Sequence, residues 1–271
     1  MEIADTGSVA TRPTTVRVDD DVTSRFATCC RALGLTIYDR KRPADLAAAR
    51  SGFTGLVRIA HDQADAWVGL AAAGDLSLPV LEAISHNVAT AGVLQRHVEL
   101  APDALGFLYD TGLYLKFRAT EPDDFHLAYA AALAGDGRFA AAYQLVSDVT
   151  RRRPSSREAR WVGSIVHYRA ERWSDVVKLL SPIVNDPDLD EHFAHAVKVA
   201  LGISLARLGM FAAALSYLED PDGPVAVAAV DGALARALSL RADGDEDTAR
   251  EVLQDLYAAN PENAQVEEAL T

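Results

Sequence analysis

Gly135-Asp136-Gly137-Arg138-Phe139-Ala140-Ala141-Ala142 separates two helical patterns, and Pro154 stops the second one seventeen residues after Gly137. Beyond the glycines, Phe139, Ala142, Val146 and Val149 recur at helical spacing. The same phrase returns downstream. It reads Leu208-Gly209-Met210-Phe211-Ala212-Ala213-Ala214, and then Asp243-Gly244-Asp245 followed by Ala249, Leu253, Leu256 and Pro261, again seventeen residues after the glycine. Between them, Ala170-Glu171-Arg172-Trp173-Ser174-Asp175-Val176 carries Glu171 in the glycine slot. The anchors 137, 171, 209 and 244 lie 34, 38 and 35 residues apart.

A two-helix unit repeating near 34 residues is the pattern of the tetratricopeptide repeat (TPR), and each such unit must bury its apolar face on its neighbours. Upstream, Trp67, Leu70 and Ala71 resemble the start of a TPR first helix and place a turn near Leu78. One further step places a turn near Ala44, with Leu46, Ala49, Phe53 and Leu56 on one face of the helix after it. The expected fold is all-α, a right-handed superhelical solenoid of six helix-turn-helix repeats over residues 21–271, after a disordered tail over residues 1–20. The interval from 78 to 137 is 59, so about 25 residues are inserted between repeats two and three.

Two positions per repeat sit where the paired helices cross, and both should be small. The eighth of the first helix reads Ile37, Ala71, Ala130, Ser164, Gly202 and Ala237; the twentieth reads Ala49, Ala83, Ala142, Val176, Ala214 and Ala249. In repeat five, Leu201, Gly202 and Ala214 are expected to meet. Repeat two fits least well, because Asn87 and Thr90 stand where large apolar residues belong. Helix one is expected from Val22 to Tyr38 with Phe26, Cys30, Leu33 and Ile37 as its stripe, and Pro43 opens its partner.

The insertion, about 93–121, changes period. Leu105-Gly106-Phe107-Leu108-Tyr109 and Leu113-Tyr114-Leu115-Lys116-Phe117, split by Asp110-Thr111-Gly112, read as a β-hairpin with a three-residue loop. So many large apolar residues need a cover, and the expected one is the wall formed by Trp161, Ile165, Tyr168, Ile203 and Leu238. After the last repeat, Glu262 to Leu270 reads as a helix over the open end. The chain stopping in that helix suggests an N-terminal piece of something longer.

Composition bounds the chemistry. A net charge of −13 argues against a nucleic-acid platform, and no apolar run approaches a membrane span, the uncharged stretch Leu208–Leu218 being eleven residues long. No secretory signal is legible, so a cytoplasmic location is expected. Adjacent Cys29 and Cys30 suit helix packing better than a disulfide or a metal site. His192 and His195 share a helix face but have no third convergent ligand, so no metal is expected. None of the four lysines follows a glycine, so no phosphate loop is present and no nucleotide cofactor is expected in this chain. Arg151-Arg152-Arg153 reads as a solvated helix end rather than a grip on an acidic tail.

A TPR solenoid holds partners on its concave side, lined here by Leu127, Trp161, Ile165, Tyr168, Val199, Ile203, Leu234 and Leu238. That lining is apolar, unlike a clamp for acidic tails, which needs basic residues. Phe107, Tyr109, Tyr114 and Phe117 of the hairpin are further candidates for partner contact.

Asp65-Ala66-Trp67-Val68-Gly69, Arg169-Ala170-Glu171-Arg172-Trp173-Ser174-Asp175-Val176, Leu208-Gly209-Met210-Phe211 and Asp222-Gly223-Pro224-Val225-Ala226-Val227 resemble the EccA family, from about residue 22 onward. In that family an N-terminal TPR domain precedes an AAA+ ATPase of type VII (ESX) secretion, and the wording is most similar to the paralogue of the third, iron-linked system. The resemblance implies a cytosolic domain that recognises secreted helical Trp-x-Gly-class substrates, their C-terminal signals or other secretion components. It also implies ATP and Mg in a C-terminal AAA+ domain beyond residue 271. A free-standing TPR adaptor or co-chaperone is the alternative. A helical enzyme is the third reading, opposed by the lack of any convergent nucleophile, base or metal set.

Overall fold

A computed structural model describes residues 19–35, 44–101, 103–109, 111, 115–218 and 230–270. Six helix pairs run in order: α1 (Asp20–Ala32) with α2 (Leu46–Ile59), α3 (Ala64–Ala72) with α4 (Leu78–His86), and α6 (Pro122–Gly135) with α7 (Phe139–Arg152). They continue with α8 (Arg157–Arg169) and α9 (Trp173–Leu180), α10 (Glu191–Arg207) and α11 (Phe211–Leu218), and α12 (Val230–Asp243) and α13 (Glu246–Ala259). Each pair packs on the next. Between the second and third pairs lie a 3-10 turn at Val88–Thr90, the short α5 (Val93–His97) and the strands β1 (Gly106–Tyr109) and β2 (Leu115–Arg118). A last helix, α14 (Ala264–Leu270), covers pair six, burying Val266 against Leu234, Ala237 and Leu253.

The turn inside every pair is the same device. Gly34, Gly74, Gly137, Gly209 and Gly244 all have positive φ, and so does Glu171 at φ 56°. In each case the residue after this left-handed position donates its N–H to the carbonyl five residues back: Leu35 to Cys30, Asp75 to Leu70, Arg138 to Leu133, Arg172 to His167, Met210 to Leu205 and Asp245 to Leu240. This is the Schellman ending, which satisfies the last carbonyls of the first helix and turns the chain sharply. The slot read from the downstream repeats therefore exists in all six.

Upstream the slot sits earlier than the period predicts. It falls at Gly34 and Gly74, not near Ala44 and Leu78, because more residues separate the slot from the start of the second helix, Leu46 and Leu78, than in the downstream pairs. Helix one accordingly ends at Ala32 and not at Tyr38; Ile37, Tyr38 and Pro43 lie outside the described residues, as does the tail over residues 1–18. The close approach in pair one is made by Gly52, where a Cβ would stand 2.7 Å from Cys29 Sγ. Cys29 and Cys30 are free and buried, and burial pushes both thiols up.

The crossing positions are otherwise as expected. Ala71, Ala130, Ser164, Ala237, Ala49, Ala142, Val176, Ala214 and Ala249 are all buried. Two details differ. Ala83 is only half-buried, its place taken by Val80 and Ile84, and Gly202 is covered by Leu218 and Tyr217, one turn beyond Ala214. The arginine run is tied down at a helix end: Arg152 and Arg153 pair with Asp123 and Asp124 in the first turn of α6 at 2.6 and 2.9 Å, and Arg151 pairs with Asp148.

Asn87 and Thr90, anomalous as core residues, are hinges for the insertion. Asn87 Nδ2 donates to the His61 carbonyl at 3.1 Å, and Thr90 Oγ1 donates to the Asp62 carbonyl while accepting from Ala64 N, both at 2.8 Å. These bonds fasten the exit of α4 to the entry of α3. Beside them Asp65, fully buried, accepts from Gly92 N at 2.5 Å and Gln95 N at 2.8 Å, fixing the start of α5. Gln95 in turn donates to the Ala101 carbonyl and accepts from Leu105 N, leading directly into β1.

Candidate binding surface

The hairpin pairs Phe107 with Phe117 and Tyr109 with Leu115, antiparallel, so five residues separate the strands rather than three. Side chains alternate across a strand, which sends Phe107, Tyr109, Leu115 and Phe117 to one face and Leu108, Lys116 and Arg118 to the other. The first face is covered. Phe107 and Phe117 are buried, Tyr109 meets Phe117 edge-on, and Phe107 stacks on Phe125 of α6 with ring centres 6.0 Å apart. The cover is thus α3 and α6, the first helices of pairs two and three, and not the wall of Trp161, Ile165, Tyr168, Ile203 and Leu238. Locality decides it: the insertion is anchored at Asp65 and Thr90, so it folds onto the helices that flank it. Tyr114 lies outside the described residues.

The eight wall candidates divide. Leu127, Trp161, Ile203 and Leu234 are buried in the stack; Ile165, Tyr168 and Val199 are half-buried, and Leu238 is 38% exposed. Trp161 meets Phe193 edge-on at 5.7 Å, and its indole N–H has no acceptor among the described residues. What remains reachable is a strip along α8, α10 and α12.

Sequence spacing did not disclose what closes that strip at one end. Tyr168 Oη donates to Asp231 Oδ2 at 2.9 Å; Arg207 stands 3.8 Å from the other oxygen of Asp231; the same guanidinium lies 5.8 Å from the Trp173 ring centre; and Trp173 meets Tyr168 edge-on at 5.0 Å. These four side chains form a closed ring over α8, α9, α10 and α12. Burial and the neighbouring carboxylate push the Tyr168 phenol up, so it stays a donor. Trp173 was visible beside the glycine slot, but nothing in the sequence brings residue 231 to residue 168.

Among the described residues no group of three or more His, Cys, Asp or Glu is arranged to hold a metal, and no helix is long and apolar enough to cross a membrane. Residues 27–271 match the family described as the N-terminal domain of the type VII secretion protein EccA1 of the ESX-1 system. The chain belongs to this family. It is 72% identical over 259 residues to the ESX-3 secretion system protein EccA3 of Mycobacterium leprae, covering 94% of this chain and 40% of that protein. EccA3 of Mycobacterium tuberculosis is 69% identical, with 100% and 44% covered, whereas EccA1 of M. leprae is 29% identical, with 78% and 37% covered. The likeness is thus to the ESX-3 members of the EccA family, and the chain spans about two-fifths of their length. The crystal structure of the N-terminal domain of the EccA1 ATPase of M. tuberculosis has the same fold, with a TM-score of 0.72 at 24% identity, covering 93% of this chain and 88% of that one.

Proposed function

We propose that this chain is the recognition domain of a cytoplasmic type VII secretion ATPase, and that it receives partners along the first-helix strip of pairs four to six. The carrying observation is an asymmetry among the first helices: the insertion packs on α3 and α6, while Ile165, Tyr168, Val199 and Leu238 stay partly open on α8, α10 and α12. An apolar strip with a polar rim at Arg207 and Asp231 suits an amphipathic helix laid in a groove. Secreted helical Trp-x-Gly-class proteins, their C-terminal signals and other secretion components are the partners in this reading. The test is biolayer interferometry against a purified Trp-x-Gly-class heterodimer of the third ESX system. Binding that survives Ile165→Arg combined with Leu238→Arg in a folded variant moves the site elsewhere, and no binding at about 100 μM removes the reading.

ATP and Mg belong, in this reading, to a further domain of the parent protein. The residues present do not fit them, since no lysine here follows a glycine. Residues 1–271 are therefore expected neither to bind nor to hydrolyse ATP. Micromolar nucleotide binding to this chain in a calorimeter would contradict that, and its absence from the full-length protein would favour the adaptor alternative.

A further inference from the structure

A second concavity opens between α7 and α9, with α8 as its floor, away from the strip assigned above. It is a groove of about 620 Å³ with Val146 and Leu179 at its apolar base and the hydroxyls of Ser147 and Thr150 along one wall. Tyr143 and His167 face each other in it, ring centres 4.6 Å apart, and the Arg172 guanidinium lies 4.9 Å from the Tyr143 ring centre. Tyr143 Oη and His167 Nδ1 are shielded from water and have no hydrogen-bond partner among the described residues.

Such unmet polar atoms beneath a cation require explanation, because a buried polar group without a partner forfeits its hydrogen bonds to water and gains none in return. The acids nearby do not supply it. Asp148 is paired with Arg151 and Asp175 with Lys178, each at 3.0 Å, while Asp175 Oδ2 is 3.6 Å from His167 Nδ1, beyond hydrogen-bond reach. No ion pair ties Arg172 among the described residues. Burial pushes the Tyr143 phenol up and the His167 imidazole down, so near neutral pH one is a protonated hydroxyl and the other an uncharged ring.

We propose that this groove is a carboxylate-binding site for an extended peptide, with the acidic group on Arg172 and Tyr143 and an adjoining aliphatic side chain on Val146 and Leu179. A carboxylate entering here pairs with the guanidinium through two parallel N–H bonds and draws it off the aromatic ring, and Tyr143 Oη then has an acceptor to donate to. Ser147 and Thr150 offer further donors along the wall. The apolar base selects a carboxylate carried on a peptide over a free inorganic anion. In a chain of net charge −13, a donor-rich groove lined by no carboxylate is a local exception that draws acidic groups to one place.

The test follows the His167 ring signals of the 271-residue chain by NMR during titration with small probes. N-acetyl-leucine carries a terminal carboxylate and an aliphatic side chain; N-acetylglutamic acid 1-amide carries a side-chain carboxylate; N-acetyl-leucinamide and inorganic phosphate are the comparisons. A saturable shift with either acid supports the site, and which acid gives it assigns the source to a chain terminus or to an acidic side chain. Arg172→Gln should then raise the Kd at least tenfold and Tyr143→Phe a few-fold, whereas Arg250→Gln on α13 should leave it unchanged. Circular dichroism checks that each variant is folded. An equal shift with N-acetyl-leucinamide or phosphate, no saturable shift with either acid, or an unchanged Kd in folded Arg172→Gln overturns the proposal.

Discussion

Around α6 cover comes from every side, from α4, α7, α8 and the hairpin, whereas the first-helix face of α10 and α12 is crossed at one end by the ring of Tyr168, Trp173, Arg207 and Asp231. The sequences of the two helices answer this difference. From Phe125 to Ala134 all but His126 and Ala132 of α6 are buried, so the helix is apolar all round, as a helix enclosed on all sides must be. The first half of α10 buries only Phe193 and Val197. One repeat plan thus yields two surfaces, a front half sealed by its own insertion and a back half left accessible. Sealing favours stability and openness favours partners.

The sharpest way to break the comparison is to unseal the front half. Phe107→Ala removes a buried ring that touches Phe117 and Phe125, and should lower unfolding stability by about 3–5 kcal/mol in a urea titration. A loss below about 1 kcal/mol would mean that the hairpin is not part of the cooperative core.

Next in size is the anchor beneath it. Burial pushes the Asp65 carboxyl up to about 6, from the usual value near 4. Between those values the folded protein keeps a proton that the unfolded chain has released, so stability should fall as pH rises from about 4 to about 6. Asp65→Asn should lack this slope, and the two stability curves should diverge by roughly 3 kcal/mol between pH 4 and pH 7. Parallel curves would show that backbone donation from Gly92 and Gln95 outweighs desolvation.

In the back half, Ala214→Phe should cost about 1–3 kcal/mol by overfilling a buried position, and Ala213→Phe, half-buried about 100° round the helix, should cost less. Equal losses would place α11 in a different rotation against α10. Smallest is Glu171→Gly, which relieves a left-handed conformation that side chains resist but loosens the unfolded chain; a net gain of up to about 1 kcal/mol in thermal or urea unfolding is expected. A clear loss there would show that the Glu171 side chain does more than fill the slot.

The downstream repeats were legible because the Schellman turn has a local signature, a glycine or its substitute followed by a small-residue helix. Upstream, extrapolating the period overshot, since more residues stand between Gly34 or Gly74 and the helix that follows. The hairpin was legible from its aromatic alternation, but its seat was not. The available signal was the all-round apolar surface of α6, which demanded a cover next to it. Asn87 and Thr90 looked like defects because a repeat template has no place for hydrogen bonds that fasten an insertion. Of the candidate wall, four residues proved to be stack interior, because spacing alone does not separate a first-helix residue that faces outward from one held between neighbours.

The anchoring bonds reach back only 26 to 30 residues, from Thr90 to Ala64 and from Gln95 to Asp65, and the hairpin's seats on α3 and α6 end at Gly135. During synthesis, then, the insertion reaches its anchors and its seat before the fourth pair has been made, while the far side of α6 still awaits α8. The hairpin's own apolar face needs nothing beyond α6 to close, and short-range closure is rapid. The fourth pair then completes the cover of α6 with α8, later repeats add one pair at a time, and the accessible strip forms last.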